Sequence, residues 1–197
     1  MKDDGVNEGR RRVLTALTSV VGAAGAVGAA VPFVGSWNPS ARAKAAGAPV
    51  SFNIAKLEPG QMATVEWRGK PVFIVRRTQE ALKSLQDVQG SLRDPDSEKS
   101  SQPEYTRNSH RAIKEEFLVI LGLCTHLGCA PTYRPDVGAE DLGGDSWLGG
   151  FFCRCHGSKF DLAGRVLQGV PAPINLEVPP YMYLSDDVIR IGEDQEA

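Results

Sequence analysis

The chain has 197 residues, of which 22 are Lys or Arg and 24 are Asp or Glu, so its formal net charge is −2. This near balance argues against a nucleic-acid-binding protein, because such proteins carry an excess of basic residues for the phosphate backbone. Hydrophobic residues make up 42% and charged residues 23%, which is typical of a folded chain and excludes wholesale disorder. No charged residue lies between Arg12 and Arg42, and this uncharged stretch excludes a plain cytosolic globule.

Residues 13–34 predict a transmembrane helix. A helix of this length spans roughly 33 Å, enough to cross the hydrocarbon core of a bilayer. The arginines at positions 10–12 directly precede it, so the positive-inside rule predicts a cytoplasmic N-terminus and an exported remainder. The arginines followed by Val13 and Leu14 also resemble a twin-arginine export signal, which moves proteins already folded around a cofactor. A cleaved signal is the alternative, but the apolar stretch exceeds the usual 7–15 or so residues of a signal, which favours an anchor.

The segment after the predicted anchor reads as a hinge. Residues 37–49 contain two Pro, one Gly and no apolar periodicity, which is typical of a linker. Fully extended, the segment reaches about 40 Å. We therefore divide the chain into a cytoplasmic N-terminus (1–12), a transmembrane anchor (13–36), a flexible hinge (37–49) and a head domain (50–197). A passive spacer remains the alternative to a working hinge.

The head is predicted to be mainly antiparallel β. Residues 62–67 and 72–77 are β-branched, apolar runs joined across Arg68, Gly69 and Lys70, which indicates a hairpin. Residues 78–88 read as a short helix with Thr78 as the N-cap. Residues 90–109 are polar and rich in turn residues, which predicts a loop. Further strands are predicted at 117–121, 166–167, 182–184 and 188–191, and residues 150–152 lead into the second cysteine cluster described below.

The chemistry of the head is concentrated in two cysteine–histidine clusters. All four cysteines and two of the three histidines lie within residues 124–156. The first cluster reads Cys-Thr-His-Leu-Gly-Cys from position 124, and the second reads Cys-Arg-Cys-His-Gly-Ser from position 153. This concentration indicates a site, because scattered cysteines would not all fall within one short segment.

Three interpretations of the clusters compete. Structural disulfides would suit an exported domain, but they leave the adjacent histidines unexplained. A tetrahedral zinc site uses the same residue types, although six potential ligands are too many for one zinc ion. A [2Fe–2S] cluster held by two Cys and two His, with the other two Cys in a disulfide, accounts for all six residues.

The two clusters and their flanks, LGLCTHLGCA from position 121 and FFCRCHGSKFD from position 151, resemble the two boxes of Rieske proteins. With the anchor and the hinge, nearly the whole chain resembles the Rieske subunit of the bacterial ubiquinol–cytochrome c oxidoreductases. The resemblance implies a Rieske-type multi-sheet β head with a small cluster-binding part at about 122–173. It also implies the following site: iron ligands Cys124, His126, Cys153 and His156, a disulfide Cys129–Cys155, and Ser158 as a cluster-binding residue.

The resemblance also implies a function. His156 and His126 would act at the quinol, with His156 the nearer contact, and Leu127 and Gly128 would lie at the tip that meets the quinol pocket. Residues 169–173 would cover the other side of the cluster. The subunit would take one electron and a proton from ubiquinol and pass the electron to a c-type cytochrome by head movement, contributing to proton translocation.

The implied partners are a cytochrome b subunit, a c-type cytochrome subunit and ubiquinol in a dimeric complex. The implied location is the bacterial inner membrane, with one pass, a cytoplasmic N-terminus and a periplasmic head. The competing functional interpretation is a periplasmic Rieske electron-transfer subunit of another oxidase, exported with a cleaved twin-arginine signal. A zinc-binding structural module is the third.

Two positions depart from the family pattern. Arg154 stands where the family usually has proline, which removes a fixed φ and adds a positive charge beside a ligand. Phe160 stands where the family often has a tyrosine whose hydroxyl bonds a ligand sulfur. His110 matches no family position, and its polar surroundings predict an ordinary surface residue.

Overall fold

The computed structural model of the chain describes residue 5 and residues 7–194. Its contacts divide into two units, with the boundary between residues 45 and 46. The smaller unit contains helix α1, Glu8–Ser36, and most of a short helix α2, Ala41–Ala46. The larger unit contains the β sheets and the two cysteine–histidine clusters.

Helix α1 contains the whole predicted anchor. It begins at Asn7, whose side-chain oxygen accepts a hydrogen bond from the amide of Arg10 at 3.1 Å, satisfying one of the free donors of the first turn. Its apolar side chains, such as Val21 and Phe33, are exposed along its length. By length and composition α1 is able to cross a membrane, which confirms the predicted apolar helix.

Helix α2 lies inside the predicted hinge and was not expected from the sequence. Ser40 precedes it and accepts a hydrogen bond from the amide of Ala43 at 3.1 Å, as an N-cap does. Alanine has the highest helix propensity of all residues, and α2 is mostly alanine. A composition typical of a linker is therefore compatible with a short helix of one to two turns.

Within the described residues the larger unit contains nine strands in three antiparallel sheets. In chain order they are β1 (Val50–Asn53), β2 (Met62–Trp67), β3 (Lys70–Arg76), β4 (Phe117–Leu121), β5 (Thr132–Arg134), β6 (Gly150–Cys153), β7 (Ser158–Phe160), β8 (Tyr181–Ser185) and β9 (Val188–Ile191). The sheets have the orders β1–β9–β8, β2–β3–β4 and β5–β6–β7. The prediction of a mainly antiparallel β fold is confirmed.

The predicted hairpin and helix are also confirmed. Strands β2 and β3 pair through a turn in which Arg68 and Gly69 both have positive φ, of 53° and 70°, as a tight hairpin turn requires. Helix α3, Gln79–Asp87, begins after Thr78, whose hydroxyl accepts from the amide of Ala81 at 3.2 Å. Strand β4 is buried at every position and forms the centre of the core.

One predicted strand is wrong, and four short strands were missed. Val166 and Leu167 make only isolated bridges, to Phe160 and Leu92, because the chain turns away after each contact. Strands β1, β5, β6 and β7 are three or four residues long, too short to show an alternating pattern. The polar segment 90–109 is a loop, as predicted, with one 3₁₀ turn at its start, Gln89–Ser91, and another at Glu104–Thr106.

The described core also buries charge, which the sequence did not predict. Arg77, Arg111 and Arg165 are each at most 2% exposed, and their guanidinium groups donate mainly to backbone carbonyl oxygens. Asp161, 2% exposed, accepts from Arg165 Nε at 2.7 Å. Burial lowers the pKa of Arg77 and of Arg111, and the charge of Asp161 opposes that shift in both. Asp161 therefore stabilises three buried cations.

Candidate metal centre

The second cluster forms the turn of a β hairpin. Cys153 ends β6 and pairs with Ser158, the first residue of β7. The turn closes with a hydrogen bond from the amide of Gly157 to the carbonyl of Cys153 at 2.9 Å. Gly157 has φ of 79°, a conformation that glycine adopts without strain. Residues 154–156 are thereby held out at the exposed end of the hairpin.

The first cluster is a compact loop that follows β4. The amide of Cys124 donates to the carbonyl of Cys129 at 2.7 Å, and the amide of Gly128 donates back to the carbonyl of Cys124 at 2.9 Å. Gly128 has φ of 81°, so the sharp reversal falls on a residue without a side chain. The hydroxyl of Thr125 donates to the carbonyl of Ile174 at 2.6 Å, which ties this loop to the segment after residue 173.

A disulfide joins the two loops. Cys129 and Cys155 are bonded, with Cα atoms 6.7 Å apart and 26 positions between them in sequence. The predicted pairing is confirmed. A group of three sulfurs, from Cys129, Cys153 and Cys155, also lies within 4.8 Å, but the disulfide occupies two of them. That group is therefore not a metal site of its own.

The two remaining cysteines lie beneath the disulfide-linked loops. Cys124 and Cys153 are free and only 3% and 2% exposed. Burial raises the pKa of the Cys124 thiol, a hydrogen bond from the His126 amide lowers it, and Cys153 beside it raises it further. Cysteine binds a metal as the thiolate, and two free cysteines buried on the two linked loops suit ligation of a metal that displaces their protons.

The two histidines lie side by side at the opposite, exposed end. The rings of His126 and His156 have centroids 4.8 Å apart and meet edge to face at 86°. His126 is half-buried and His156 is exposed. The donor set is thus two sulfurs inside and two nitrogens outside. This set fits a [2Fe–2S] cluster with one iron on each side, since a single tetrahedral zinc would need all four donors to converge.

A third loop, residues 169–173, closes over the centre. The amide of Ala172 donates to Ser158 Oγ at 3.1 Å, and both residues are fully buried. Ser158 also lowers the pKa of the Cys124 thiol, against the effect of burial. From outside, Arg93 donates to the carbonyls of Val170 and Ala172. Nothing in the local sequence indicated these contacts of Arg93, because an arginine in a polar loop has many unremarkable roles.

The exposed tip of the centre is apolar on one side and basic on the other. Leu127 is 71% exposed, and Gly128 beside it is also exposed. Arg154 is exposed on the second loop. Phe160, by contrast, is fully buried in the hydrophobic core that also contains Cys124 and Cys153. An exposed leucine between two polar loops is a suitable surface for an apolar partner or ligand.

The disulfide gives a first prediction. Replacing Cys155 by serine leaves the free cysteines and both histidines in place but unlinks the loops. We expect the free energy of unfolding to fall by about 2–4 kcal/mol, with a lower iron content. Denaturant unfolding and iron analysis measure both quantities, and Ser146→Ala on an exposed turn is the control. Unchanged stability with full iron content would contradict a structural role for the disulfide.

Comparison with known families agrees with this centre. The family described as Rieske [2Fe-2S] domain matches residues 97–180. A second family, described as Ubiquitinol-cytochrome C reductase Fe-S subunit TAT signal, matches residues 1–40. The first match contains every residue of the two loops and the third loop, and it sets the zinc interpretation aside.

Similar proteins cover the whole chain. The ubiquinol-cytochrome c reductase iron-sulfur subunit of Allochromatium vinosum is 60% identical over 195 residues, 99% of this chain and 94% of that protein. The subunit of the same description from Blastochloris viridis is 44% identical over 185 residues, 93% of this chain and 92% of that protein. A solved structure described as hyperthermophilic respiratory Complex III has 24% identity and a TM-score of 0.49, covering 88% of this chain and 98% of its own.

Proposed function

The chain belongs to the Rieske iron–sulfur subunits of ubiquinol–cytochrome c reductase, and from this membership we propose which of its residues carry the reaction. It is a [2Fe–2S] electron-transfer subunit of a cytochrome bc complex, whose partner subunits are cytochrome b and a c-type cytochrome. Helix α1 is the candidate membrane anchor. Quinol–cytochrome c oxidoreduction is the activity of the assembled complex.

The ligands we propose are Cys124 and Cys153 on the inner iron and His126 and His156 on the outer iron. The observation that carries this assignment is the layering of the site, with two free thiols buried below two adjacent imidazoles at the surface. When bound, the cluster exchanges one electron at a raised potential, because neutral imidazoles replace two anionic thiolates. We also propose Ser158 as a cluster-binding residue, because its buried hydroxyl lies beside the site and accepts from the Ala172 amide of the third loop.

His156 is the residue we propose to contact the quinol. It is exposed, whereas His126 is half-buried, so its outer ring nitrogen is the more accessible acceptor for a quinol hydroxyl. By accepting this hydrogen bond, His156 would orient the quinol. It would then take the proton of the quinol hydroxyl, and that proton would later leave on the exported side of the membrane. Leu127 and Gly128 would form the apolar rim that excludes water from this contact, since Leu127 is 71% exposed and has no core to pack in.

Head movement is the proposed route to the second partner. The head would take its electron from ubiquinol at the membrane and carry it to the c-type cytochrome, rotating on residues 37–49. The quinol's second electron would go to a b-type haem in the cytochrome b subunit. We propose that the N-terminus lies in the cytoplasm and the head in the periplasm of a bacterial cell, because positive charge precedes α1. The proposal that the complex is a dimer rests on the family resemblance alone.

Stiffening the hinge tests this movement. In the variant Ala43→Pro, Ala45→Pro, two proline rings fix φ at exposed positions of the segment. We expect quinol turnover by the purified complex to slow several-fold, while the cluster's absorption spectrum stays unchanged. The control, Ala43→Gly with Ala45→Gly, also removes α2 but leaves the chain flexible. Equal turnover in all three proteins would reduce residues 37–49 to a passive spacer.

Phe160 offers a prediction on the cluster potential. It lies two residues after Ser158 on β7, so both side chains lie on the same face of the strand. A tyrosine here would add a hydroxyl donor near a ligand sulfur, and such a bond stabilises the reduced, more negative cluster. If the bond favours the reduced state by about 0.5–1.5 kcal/mol, Phe160→Tyr raises the midpoint potential by roughly 20–65 mV.

Redox titration of the complex measures the shift. Phe160→Leu is the control, because it changes the packing without adding a donor. Ser158→Ala should lower the potential by a comparable amount, because it removes the hydroxyl that we propose as a donor to the cluster. An equal or lower potential in Phe160→Tyr would mean that the ring at position 160 does not face a ligand sulfur.

A further inference from the structure

A polar segment, residues 91–101, is hydrogen-bonded to the chain on both sides of the third loop, and we call it the bracing segment. Before the loop, the amide of Gln168 donates to the carbonyl of Ser91 at 2.8 Å. After the loop, the side-chain amide of Asn175 donates to the carbonyl of Asp94 at 2.9 Å. The bracing segment therefore fixes both ends from which the third loop extends.

The far end of the loop is tied to a turn that is itself closely bonded. The carboxylate of Asp94 accepts from the amides of Glu98 and Lys99 and from the hydroxyl of Ser100. The oxygen of that hydroxyl accepts in turn from the backbone amide of Asn175 at 3.0 Å. Asp94, Ser100 and Asn175 are all buried, so this end of the loop stays in place while the head is folded.

Between these fixed ends, side chains hold the middle of the loop. The two prolines of the loop have no amide hydrogen and donate nothing. On the inner side, the amide of Ala172 donates to Ser158 Oγ at 3.1 Å. On the outer side, Arg93 donates from one nitrogen to the carbonyl of Ala172 at 2.7 Å and from the other to the carbonyl of Val170 at 2.8 Å. The planar fork of arginine suits two acceptors placed in this way.

Arg93 is the exposed member of this arrangement. Its two hydrogen bonds can be replaced by bonds to water, so breaking them costs little free energy. The residues that flank the loop, Val166 and Asn175, are 0% exposed and have no such alternative. The loop can therefore open locally in a folded head, by releasing Arg93 and the single bond from Ala172 to Ser158.

The loop covers the buried side of the metal centre. Ala172 is fully buried in the same hydrophobic cluster as Cys124 and Cys153, and Val170 packs against that cluster. We propose that Arg93 is a positioning residue that holds the third loop closed, and that opening of this loop limits how fast the folded head loses its cluster. The inference rests on the proposed function, because it requires a [2Fe–2S] cluster between the two cysteine–histidine loops.

The first measurement is the rate at which the cluster is lost. The full-length, cluster-loaded chain in detergent is mixed with EDTA, and the visible absorption of the cluster is followed at several urea concentrations below the unfolding midpoint. Arg93→Met keeps a long side chain and removes the fork. We expect it to lose the cluster about three- to tenfold faster than the wild type, because two hydrogen bonds no longer oppose opening. The rate should depend only weakly on urea, as a local opening does.

The second measurement does not depend on the cluster. The amide of Ala172 is bonded to Ser158 where both residues are fully buried, so its hydrogen exchanges when the loop opens. Exchange in a peptide containing residues 169–174 is followed by mass spectrometry. In Arg93→Met we expect this amide to exchange faster by the same factor as the cluster is lost, because both rates report one opening equilibrium.

Two control variants separate the fork of Arg93 from its charge. Arg93→Lys keeps the charge and loses the fork, and it should lose the cluster nearly as fast as Arg93→Met. A pure effect of charge would give the opposite sign in Arg93→Met, because removing a cation slows the approach of the anionic chelator. Arg107→Met removes an exposed arginine that pairs with Glu104 at 3.0 Å, and it should behave as the wild type does.

Three results would overturn the proposal. They are wild-type rates of both processes in Arg93→Met, cluster loss that rises with urea as steeply as global unfolding does, and faster exchange of Ala172 without faster cluster loss. With any of these, a cluster that is present in the wild type and absent from His156→Ala leaves the proposed function standing. If the wild-type chain held no [2Fe–2S] cluster, the proposed function and this inference would fail together.

Discussion

Replacing His156 by alanine is expected to remove the [2Fe–2S] cluster from the protein and abolish quinol oxidation by the complex. A two-iron centre with two buried thiolates and one imidazole has an open position on its exposed iron, where solvent would attack. His156 is exposed and contributes nothing to the described core, so the head should still fold. Iron content per chain and the visible spectrum measure the loss, and circular dichroism reports the fold.

His110→Ala is the matched control for this experiment. It removes the third histidine of the chain, which lies at the surface with its ring nitrogen 3.7 Å from a carboxylate oxygen of Glu115. Because His110 is predicted to be a surface residue outside the site, we expect the His110→Ala variant to keep its full iron content. Full iron in His156→Ala, or iron loss in His110→Ala, would contradict the ligand assignment.

The second large effect concerns Asp161. Its carboxylate is the acidic partner of Arg165 in a pair that is almost fully buried, and it also accepts the amides of Ala163 and Arg165. The buried cations Arg77 and Arg111 feel its charge as well. Asp161→Asn would leave the buried arginines without a counter-charge. Breaking one side of a buried pair typically costs about 3–5 kcal/mol of folding free energy, and we expect a loss of that size.

Denaturant unfolding of the wild-type protein and of the Asp161→Asn variant measures this loss of folding free energy. Asp136→Asn is the matched control, because Asp136 also pairs with an arginine, Arg134 at 2.8 Å, but is exposed. An exposed pair contributes only about 0–1 kcal/mol, so the control should be nearly neutral. If the two substitutions lowered the free energy of unfolding equally, the buried Asp161 would stabilise the protein no more than the exposed Asp136 does.

The parts of the fold that could be predicted are those with a local signal. The β2–β3 hairpin is set by Arg68 and Gly69 between two β-branched runs, and α3 is set by Thr78 at its start. The site residues were found because two cysteine–histidine clusters are a rare and specific pattern. Their pairing, including the disulfide that the structure contains, came from the resemblance and not from spacing.

The parts that could not be predicted depend on contacts between distant residues. Arg93 reaches carbonyls 77 and 79 positions away, and Arg165 donates to Leu85 across 80 positions. Nothing in the local sequence marks these arginines as buried or bridging. Strands β5 and β7 exist because each pairs with β6, so a three-residue segment becomes a strand only in the folded head. Residues 166–167 show the converse, because this apolar pair makes only isolated bridges and does not become part of a sheet.

The most direct test of the account is the identity of the ligands on the outer iron. Pulsed electron paramagnetic resonance of the reduced complex, prepared with ¹⁵N-labelled histidine, detects nitrogens bonded to the cluster. The account predicts two coupled imidazole nitrogens, and a potential within about −150 to +300 mV, the range of Rieske centres. A cluster with no coupled histidine nitrogen, and a potential near that of four-thiolate ferredoxins at about −400 mV, would contradict it.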